Sequence, residues 1–460
     1  MNDIVFAAAN PRPASAPEVG GILTVVSFNV LNQFLTLDDG PDICGPNEDQ
    51  ECRGADSTLE FERQRTKLLA ALEQLDADVL GLVELENTPD VSPEQDLADG
   101  LTADYAVVDV GGEGLVGDDT IRVGIIYKPG AVTPVGDPAI LDFALDPLGE
   151  SRNRSALAQT FAENATGDVF TVVVNHFKSK SGSEIDDSGG VCATTPAYPD
   201  CDQGDGQAYF NATRTSAAQQ LVDWLATAPT SVGDPDVMIL GDLNAYAMED
   251  PISLLEGAGY VNLHTAFGNR YSYVFDGQWG FLDYALASAS MAAQVTGAAD
   301  YHINSDEPNV LDYNTNFQSP DQIVKLCAPD EYRTSDHDPV VVGLALDAID
   351  ATVTATPDTL WPPNHKYREV LVSATDAGVD LEVLITGATS SEPDSGINDE
   401  DVPNDIVITG DDTVDLRAER DDEGPGRTYT ITSFATNAAG QVQLATNYVV
   451  VPHDRGSRRN

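Results

Sequence analysis

The sequence predicts an α/β domain followed by an all-β domain. From Leu23 to Leu346, apolar β-branched runs alternate with helix-patterned segments, and this alternation is typical of α/β folds. After about Asp347 the helical patterns stop, and short Thr/Val/Ile-rich runs separated by Asp/Gly turns take their place. These changes predict four segments: a linker over 1–20, an α/β domain over 21–347, a β-sandwich domain over 348–453 and a disordered tail over 454–460.

The strands predicted in the α/β domain are buried runs bounded by turn residues: Leu23–Val30, Val79–Val83, Arg122–Tyr127, Val169–Val174, Val237–Leu240, Leu282–Ala287 and Val340–Leu346. The segment Ser57-Thr58-Leu59-Glu60 has the pattern of a capping box and predicts the start of a helix. A second helix is predicted over Thr213–Leu225, since Ala217 and Leu221 share one apolar face. About seven short strands are expected in the second domain.

The composition is globular, and its charge is extreme. Hydrophobic residues make up 42% of the 460 residues, which excludes a disordered chain, and no apolar run approaches the roughly 20 residues that span a bilayer. We therefore expect no membrane partner and a monomeric protein. The net charge of -53 favours solubility in a saline habitat over a dedicated acidic interface. It also argues against nucleic-acid binding by bulk attraction, so a nuclease with this charge would need bound cations and a local cationic patch.

Four of the five cysteines predict two short disulfides. Cys44 and Cys52 lie close together in one Gly/Pro/Asp/Asn-rich loop, and Cys192 and Cys201 in another. A zinc site is the alternative, but no CxxC motif or nearby His supports it. Cys327 is left as a free thiol. Disulfides indicate an oxidising compartment, although the N-terminus lacks the features of a secretory signal. The chain is therefore either cytoplasmic or, as the Pro/Ala-rich start suggests, a piece of a longer exported protein.

Polar residues that can carry chemistry follow the predicted strands, where α/β folds place their active sites. They are Asn29 in SFNVLN, Glu84 in LVELEN, His176 in VNHFKSK, Asp242 and Asn244 in GDLNA, and Asp336 and His337 in TSDHDPV. Asp283 in GFLDYALAS lies within or at the edge of another strand, where a charge is costly unless it is paired. Taken singly, each is more typical of a turn, a cap or a structural contact. Together they match the needs of metal-assisted phosphodiester hydrolysis, because carboxylates bind a hard divalent cation and His and Asn stabilise charge on the phosphate.

The order of these motifs over residues 20–346 resembles that of the endonuclease/exonuclease/phosphatase superfamily. The amino-acid sequences of the motifs are most similar to those of secreted bacterial nucleases of the ExeM/NucH type. The resemblance implies a DNase I-like, four-layer α-β-β-α sandwich. The closing module, with LWPPNHK and PNDIVITGD, is similar to the Ig-like repeats of bacterial exported proteins. An extracellular or cell-surface location follows from the same resemblance.

The resemblance also implies a role for each motif residue. Glu84 is expected to be the main ligand of Mg²⁺ or Mn²⁺, completed or supported by Asn29 and Asp336. In catalysis, Asp242 would activate water, Asn244 would contact the scissile phosphate, His337 would act on that phosphate while oriented by Asp283, and His176 would be the second histidine. Substrate binding is expected of Arg154, Lys178 and Asn244.

Several neighbouring residues keep alternative interpretations. Arg152 competes with Arg154, because the family's RxPL is RSAL here, and Lys178 and Lys180 are either a cationic patch or solvated loop charges. Arg214 either touches substrate or anchors the loop Ser181–Gln207. Three aromatic residues are more typical of a packed loop than of a base-stacking surface: Tyr273, Phe275 and Trp279.

Three functions compete at this point. A nuclease acting on DNA, and on RNA as well, is favoured by the motifs. The same chemistry on a lipid, inositol or nucleotide phosphoester is the first alternative, and a non-catalytic adhesion protein is the second. The β module is either a surface-binding domain or an inert spacer. Structural Ca²⁺ at its acidic loops, such as Asp399–Asp401 and Asp411-Asp412, is less favoured than plain solvation.

Overall fold

The computed structural model describes residues 11–146, 149–165, 168–186, 189–232, 234–346, 351–395, 403–422, 424–438 and 442–454. It divides into two compact units, Met1–Met291 with Gly297–Leu344 and Ala292–Thr296 with Ala345–Asn460. Most of the predicted disordered tail and the first ten residues of the predicted linker lie outside the described residues. No helix within these described ranges has the length and apolar character needed to cross a bilayer.

The first unit contains two six-stranded sheets and a short hairpin. Its strands are β1 Leu23–Gln33, β2 Val79–Glu86, β3 Ala106–Val107, β4 Ile121–Tyr127, β5 Val132–Leu141, β6 Arg154–Glu163, β7 Val169–His176, β8 Val237–Asp242, β9 Val261–Asn262, β10 Tyr273–Phe275, β11 Gln278–Gly280, β12 Asp283–Ala287, β13 Val295–Asp300 and β14 Val340–Leu344. Sheet I has the order β13-β14-β1-β2-β4-β3, sheet II the order β5-β6-β7-β8-β12-β9, and β10 pairs with β11. Both sheets mix parallel and antiparallel neighbours.

The first unit also contains α-helices, four of which pack on the two sheets. They are α1 Thr58–Leu75, α2 Pro93–Gly100, α3 Ser183–Asp186, α4 Val191–Thr194, α5 Asn211–Leu225, α6 Asp250–Gly257, α7 Leu263–Phe267, α8 Ala289–Ala292 and α9 Pro320–Leu326, with a 3₁₀ turn at Asn309–Leu311. Helices α1 and α2 share a buried core with sheet I, and α5 and α6 share one with sheet II. The sheets face each other closely, since a Cβ on Gly81 would lie 2.6 Å from Val174 Cγ2. The predicted DNase I-like α-β-β-α sandwich is confirmed.

Helix α1 begins where the sequence predicts, although its cap differs in detail. Ser57 Oγ accepts a hydrogen bond from the Glu60 amide at 3.4 Å, as in a capping box. The Glu60 carboxylate, however, accepts from the amide of Asp56 and not from that of Ser57. One turn later, Gln64 donates to the carbonyl of Leu31 at 2.8 Å. This bond ties the outer helix to the end of β1, which carries part of the site.

Both predicted disulfides are present. Cys44 pairs with Cys52 and Cys192 with Cys201, while Cys327 is free. The two bridges join residues eight and nine positions apart, so each closes a small loop.

Residues 11–20 of the predicted linker pack against the first unit. Arg12 pairs with Glu307 at 2.5 Å and lies over the ring of Tyr332, and Val19 is 8% exposed.

The second unit is all-β, as predicted. Its strands are β15 Thr352–Thr356, β16 Tyr367–Asp376, β17 Val379–Ser390, β18 Ile406–Ile408, β19 Thr413–Arg417, β20 Gly426–Thr436 and β21 Val442–Pro452. All pairings described are antiparallel, in the order β18-β19-β16-β17-β20-β21 with β15 on β16. Strands β16, β17, β19, β20 and β21 contribute side chains to one apolar core. Residues Asp399–Asp401, considered above for Ca²⁺, lie outside the described residues.

Candidate active site

Four predicted site residues lie in one row across sheet II. Arg154, His176, Asp242 and Asp283 occupy β6, β7, β8 and β12, and each is the register partner of the next. The strands extend further than the sequence predicts: β7 runs through His176 and β8 through Asp242. The side chains therefore belong to the ladder itself, where neighbouring strands are about 4.8 Å apart, and not to loops beyond it.

Sheet I contributes Asn29 and Glu84 from neighbouring parallel strands. Glu84 interrupts the pairing of β2 between Val83 and Leu85, and its backbone is left-handed with φ +70°. A non-glycine residue in this conformation is strained, and a bulge of this kind re-aims a side chain. The Glu84 carboxylate accepts from Asn29 Nδ2 at 3.1 Å and from the amide of Asn32 at 3.0 Å. The irregular strand thus fixes the carboxylate toward sheet II.

The TSDHDPV segment is held next to Asn29 and Glu84 by a hydrogen bond to β1. Ser335 Oγ donates to the carbonyl of Asn29 at 2.7 Å, and Asn29 Nδ2 lies 3.4 Å from Asp242 Oδ2. Asn29 is completely buried, whereas the side chain of Asp336 is 30% exposed. Residues from both sheets and from this segment therefore meet in one pocket.

His337 is held by a buried carboxylate. Its Nδ1 lies 2.7 Å from Asp283 Oδ2, which also accepts from Ser272 Oγ at 2.9 Å. Its Nε2 lies 3.9 Å from Asp242 Oδ2 and 3.9 Å from Asp336 Oδ1, and the ring of Tyr273 packs on it. Burial lowers the pKa of His337, but the three surrounding carboxylates outweigh it and raise the pKa well above its ordinary value. The surrounding carboxylates thus favour the protonated form of His337 in this pocket.

His176 has the opposite electrostatics. Its Nε2 lies 3.9 Å from Glu84 Oε1 and 3.8 Å from Asp242 Oδ2, and its Nδ1 has no hydrogen-bond partner among the described residues. Burial first, and then the charge of Arg154, hold its pKa well below the ordinary value. The two histidines, whose pKa values are shifted in opposite directions, therefore both face Asp242.

Asp242 is the last residue of β8, and Asn244 follows it by two positions. Burial, opposed by His337 and reinforced by the charges of Asp283 and Glu84, raises the pKa of Asp242 to about 7. The amide of Asn244 donates to Asp242 Oδ1 at 2.9 Å, and its Nδ2 donates to the Phe177 carbonyl at 3.1 Å. Asp242 is therefore a carboxylate suited to exchanging protons near neutral pH.

The carboxylates of the pocket form two candidate groups for a divalent cation. The pKa of Glu84 is raised by burial and by the charge of Asp336, so the two carboxylates repel each other unless a cation lies between them. Ligand atoms of Asp242, Asp283 and His337 also lie within 4.8 Å of one another. In that second group, however, Asp283 and His337 are already joined by a hydrogen bond. The assignment of Glu84, Asn29 and Asp336 as metal ligands stays a prediction, and Asn29 Nδ2 donates to Glu84 Oε1 at 3.1 Å.

Cations border the pocket, and each has an acidic partner. Arg154 donates to Asp119 Oδ2 at 3.1 Å, and Arg53, which none of the sequence motifs includes, lies 4.0 Å from Asp119 Oδ1. Arg53 is 41% exposed at its side chain, so it can contact a ligand. The sequence feature that could have identified Arg53 is its position beside Cys52 in a chain with few cations.

Arg214 anchors the neighbouring loop. It is fully buried and donates to the carbonyls of Lys178, Tyr209 and Gln207 at 2.8–3.2 Å. Lys180 pairs with Glu249, which lies 3.8 Å from Arg214. The anchoring interpretation of Arg214 therefore accounts for all of these contacts.

The aromatic residues before Asp283 divide into two groups. Tyr273 packs on His337 with 4.5 Å between ring centroids. Phe275 and Trp279, on the hairpin of β10 and β11, are 59% and 69% exposed. Trp279 stacks on Tyr271, so the hairpin is packed on one side and open on the other.

Asp338 is a second residue whose role the sequence does not predict. Its Oδ1 accepts from the amides of Ile303, Asn304 and Ser305 at 2.8–3.1 Å. Asn304 in turn donates to the carbonyl of His337 at 2.7 Å. The second aspartate of SDHDPV thus anchors the backbone that carries His337, although nothing in the sequence separated this role from that of Asp336.

A family model agrees with this arrangement. The model described as "Endonuclease/Exonuclease/phosphatase family" matches residues 26–337, which include every site residue predicted from the sequence and end one residue before Asp338. The chain belongs to the endonuclease/exonuclease/phosphatase family. Members of this family are phosphoester hydrolases that typically depend on divalent metal ions. None of the curated proteins matches the sequence.

Solved structures of the same family are similar over 70% of this chain. A family protein from Bacteroides thetaiotaomicron is 16% identical, with 93% of its chain covered and a TM-score of 0.42. The human Nocturnin catalytic domain with bound sulfate is 17% identical, with 93% covered and a TM-score of 0.41. The D. rerio TDP2 structure with a single-stranded DNA product is 16% identical, with 97% covered and a TM-score of 0.40.

Proposed function

We propose that this member of the endonuclease/exonuclease/phosphatase family is a metal-dependent phosphodiesterase that hydrolyses nucleic acid outside the cell. The observation that carries the proposal is the position of His337, hydrogen-bonded to Asp283 at 2.7 Å and facing Asp242 and Asp336 at 3.9 Å. A protonated histidine and a carboxylate that exchanges protons near pH 7 therefore share one pocket.

The chemistry follows from these positions. Asp242 takes a proton from the attacking water, whose oxygen forms the new bond to phosphorus while the bond to the leaving oxygen breaks, and protonated His337 gives its Nε2 proton to that leaving oxygen. His337 and Asn244 donate hydrogen bonds to the phosphate, and neutral His176 donates from the neighbouring strand. Bound Mg²⁺ or Mn²⁺, held by Glu84 and Asp336 with support from Asn29, would supply Lewis-acid stabilisation of the phosphate charge.

Nucleic acid is the favoured substrate because cations gather at this pocket. Arg53, Arg154 and Lys178 are close enough to lower the pKa of His176 in a chain whose net charge is -53. Such local positive charge suits a phosphate chain, which bulk attraction would not bring to this protein. The ExeM/NucH-like motifs favour DNA, with RNA as a further substrate, and a monomer is sufficient for the site. A lipid, inositol or nucleotide phosphoester remains the alternative substrate class.

Location and domain organisation belong to the same proposal. Two disulfides are typical of proteins in oxidising compartments, which supports an extracellular or cell-surface location. We propose a catalytic domain over 21–347 and an Ig-like domain over 348–453. The carbonyls of Asp411 and Asp412 accept from Ile385 and Val372, so these residues bridge two strands, and structural Ca²⁺ there is a minor expectation.

The test is digestion of plasmid and linear DNA by the purified chain with Mg²⁺ or Mn²⁺, beside the Asp242→Ala variant. We expect cleavage by the wild type and a loss of at least about 10²-fold in the variant, because the proton acceptor is gone. Equal thermal melting of both proteins would show that the fold is intact. Activity retained in the variant would remove Asp242 from the mechanism.

Metal removal is a separate prediction. EDTA should abolish cleavage, and added Mg²⁺ or Mn²⁺ should restore it, because a bound cation would neutralise the negative charges of Glu84 and Asp336. Cleavage that resists EDTA would contradict the metal-dependent mechanism. Absence of cleavage of any nucleic acid by a folded sample would favour a smaller or lipid phosphoester.

A further inference from the structure

The loop over residues 181–207, which contains the Cys192–Cys201 disulfide, places a carboxylate next to cations beside the active site. Glu184, in the short helix α3, forms ion pairs with Lys178 Nζ and Arg152 Nη1. Lys178 follows His176 by two residues, and its charge lowers the pKa of that histidine. The carboxylate of Glu184 therefore neutralises positive charge within electrostatic reach of the reacting groups.

The two cations are held in place without Glu184. The buried ring of Phe210 has Lys178 Nζ at 4.9 Å and Arg152 Cζ at 5.1 Å from its centroid. Arg152 Nε also donates to buried Asp146 at 2.5 Å. Their side chains are only 14% and 10% exposed, so packing limits their movement. The cations would remain close together if the glutamate turned away.

Glu184 itself combines an anchored backbone with a partly exposed side chain. The next residue, Ile185, is 2% exposed and packs with Cys192, Cys201 and Phe210. The Glu184 side chain, in contrast, is 43% exposed. It can therefore turn into solvent by rotation about its own bonds, while the loop stays anchored.

A preformed pair of one lysine and one arginine is a typical phosphate-binding arrangement, because both donate charge-assisted hydrogen bonds to anionic oxygen. A carboxylate presents the same kind of acceptor and can occupy such a site when phosphate is absent. In this protein the pair lies next to, but apart from, the groups that face the scissile phosphate in the proposed mechanism.

We propose that Lys178 and Arg152 bind a second, non-scissile phosphate of the substrate strand, and that Glu184 occupies this subsite until the strand displaces it. The inference rests on the proposed nuclease function and narrows its substrate to a chain of several phosphates. A substrate with a single phosphodiester reaches the catalytic groups but does not reach the subsite.

The test compares Glu184→Gln with the wild type in two assays. The first measures binding of a fluorescent 12-nucleotide DNA by anisotropy in EDTA, where hydrolysis is absent. The second measures KM and kcat with Mg²⁺ for that DNA and for bis(p-nitrophenyl) phosphate, which has one phosphodiester. Asp205→Asn is the matched control: it removes one charge from the same loop, at an exposed residue whose bond to the Gln207 amide an asparagine preserves.

We expect Glu184→Gln to tighten DNA binding and lower its KM by about two- to fivefold, which is the size of one competing surface ion pair. Values for bis(p-nitrophenyl) phosphate and for Asp205→Asn should match the wild type. In a Lys178→Gln background, the gain from Glu184→Gln should shrink, because the displaced partner is already missing.

The outcomes separate this inference from the proposed function. Unchanged DNA affinity and KM in Glu184→Gln would overturn the subsite, even if the wild type is an active nuclease. An equal gain in Asp205→Asn, or with bis(p-nitrophenyl) phosphate, would also overturn it. Tighter DNA binding by Glu184→Gln, in a protein that cleaves no nucleic acid, would support the subsite and reject the nuclease.

Discussion

At the scale of single residues, the hydrogen bond between His337 and Asp283 decides how the histidine is protonated and where its ring points. Asp283 Oδ2 accepts from His337 Nδ1 and from Ser272 Oγ, and the whole pair is buried. A neutral amide at this position would keep the shape and remove the charge that favours the protonated histidine. Asp283 is thus a positioning residue that acts through His337.

We predict that Asp283→Asn lowers kcat by about 10²–10⁴-fold with little change in KM, because the histidine loses its orienting charge but the phosphate contacts remain. Steady-state kinetics on DNA would measure this. Ser272→Ala leaves the charge of Asp283 in place and removes the hydroxyl that donates to Asp283 and accepts from the amides of Leu282 and Asp283, so it should cost about tenfold or less. A change in KM alone would indicate that Asp283 serves substrate binding.

The residue types of the site follow from the sequence, because each chemical group stands directly after a buried run. Their partners do not follow. Glu184, for example, meets Lys178 and Arg152 only through the folding of loop 181–207, and nothing in the sequence of that acidic loop distinguishes Glu184 from its neighbours. Arg53 reaches the pocket in the same way, from a separate disulfide loop.

At the scale of elements, Gly241 allows β7 and β8 to approach just before Asp242. Its φ is +124°, and a Cβ there would lie 1.9 Å from the carbonyl oxygen of Asn175. That oxygen belongs to the backbone of a buried parallel strand, so it cannot move aside cheaply. The position of Asp242 therefore depends on the missing side chain next to it.

We predict that Gly241→Ala destabilises the protein by at least about 2 kcal/mol and sharply reduces activity by displacing Asp242. Thermal melting and DNA cleavage would measure the two effects. Gly259→Ala is the matched control, since Gly259 has φ +100° but a Cβ there would meet no atom within 4 Å. A similar loss in both variants would trace the effect to backbone strain and not to the clash with Asn175.

Strand β6 shows what periodicity could not predict. Its sequence, RSALAQTFAE, contains one β-branched residue and several alanines, so it lacks a strand signal. It nevertheless lies between β5 and β7 in sheet II, where neighbouring strands supply the pairing. The bulge at Glu84 was equally hidden, because LVELE has no glycine or proline to mark an irregular strand.

At the scale of the whole molecule, the charge of -53 opposes a polyanionic substrate while the pocket attracts it. Added salt weakens the long-range repulsion, since the Debye length is about 8 Å at 0.15 M salt. The cations at the pocket are mostly paired and partly buried, so screening affects them less. Long-range and short-range electrostatics thus have opposite signs in this protein.

We predict that DNA cleavage persists or rises as NaCl increases from low concentration to about 0.5 M, where the Debye length falls to a few ångströms. Initial rates at fixed Mg²⁺ would measure this. A nuclease that binds by many unpaired lysines would lose affinity steeply over the same range. A steep loss here would contradict the idea that repulsion by the surface limits encounter.

The row of Arg154, His176, Asp242 and Asp283 has a consequence for protein engineering. Its spacing is set by backbone pairing between four strands, and residues 181–207 take no part in that pairing. We expect a graft that replaces loop 181–207 with another loop to leave these four residues paired as they are now. This protein is therefore a scaffold in which substrate preference can be exchanged by transplanting single loops while the catalytic row is retained.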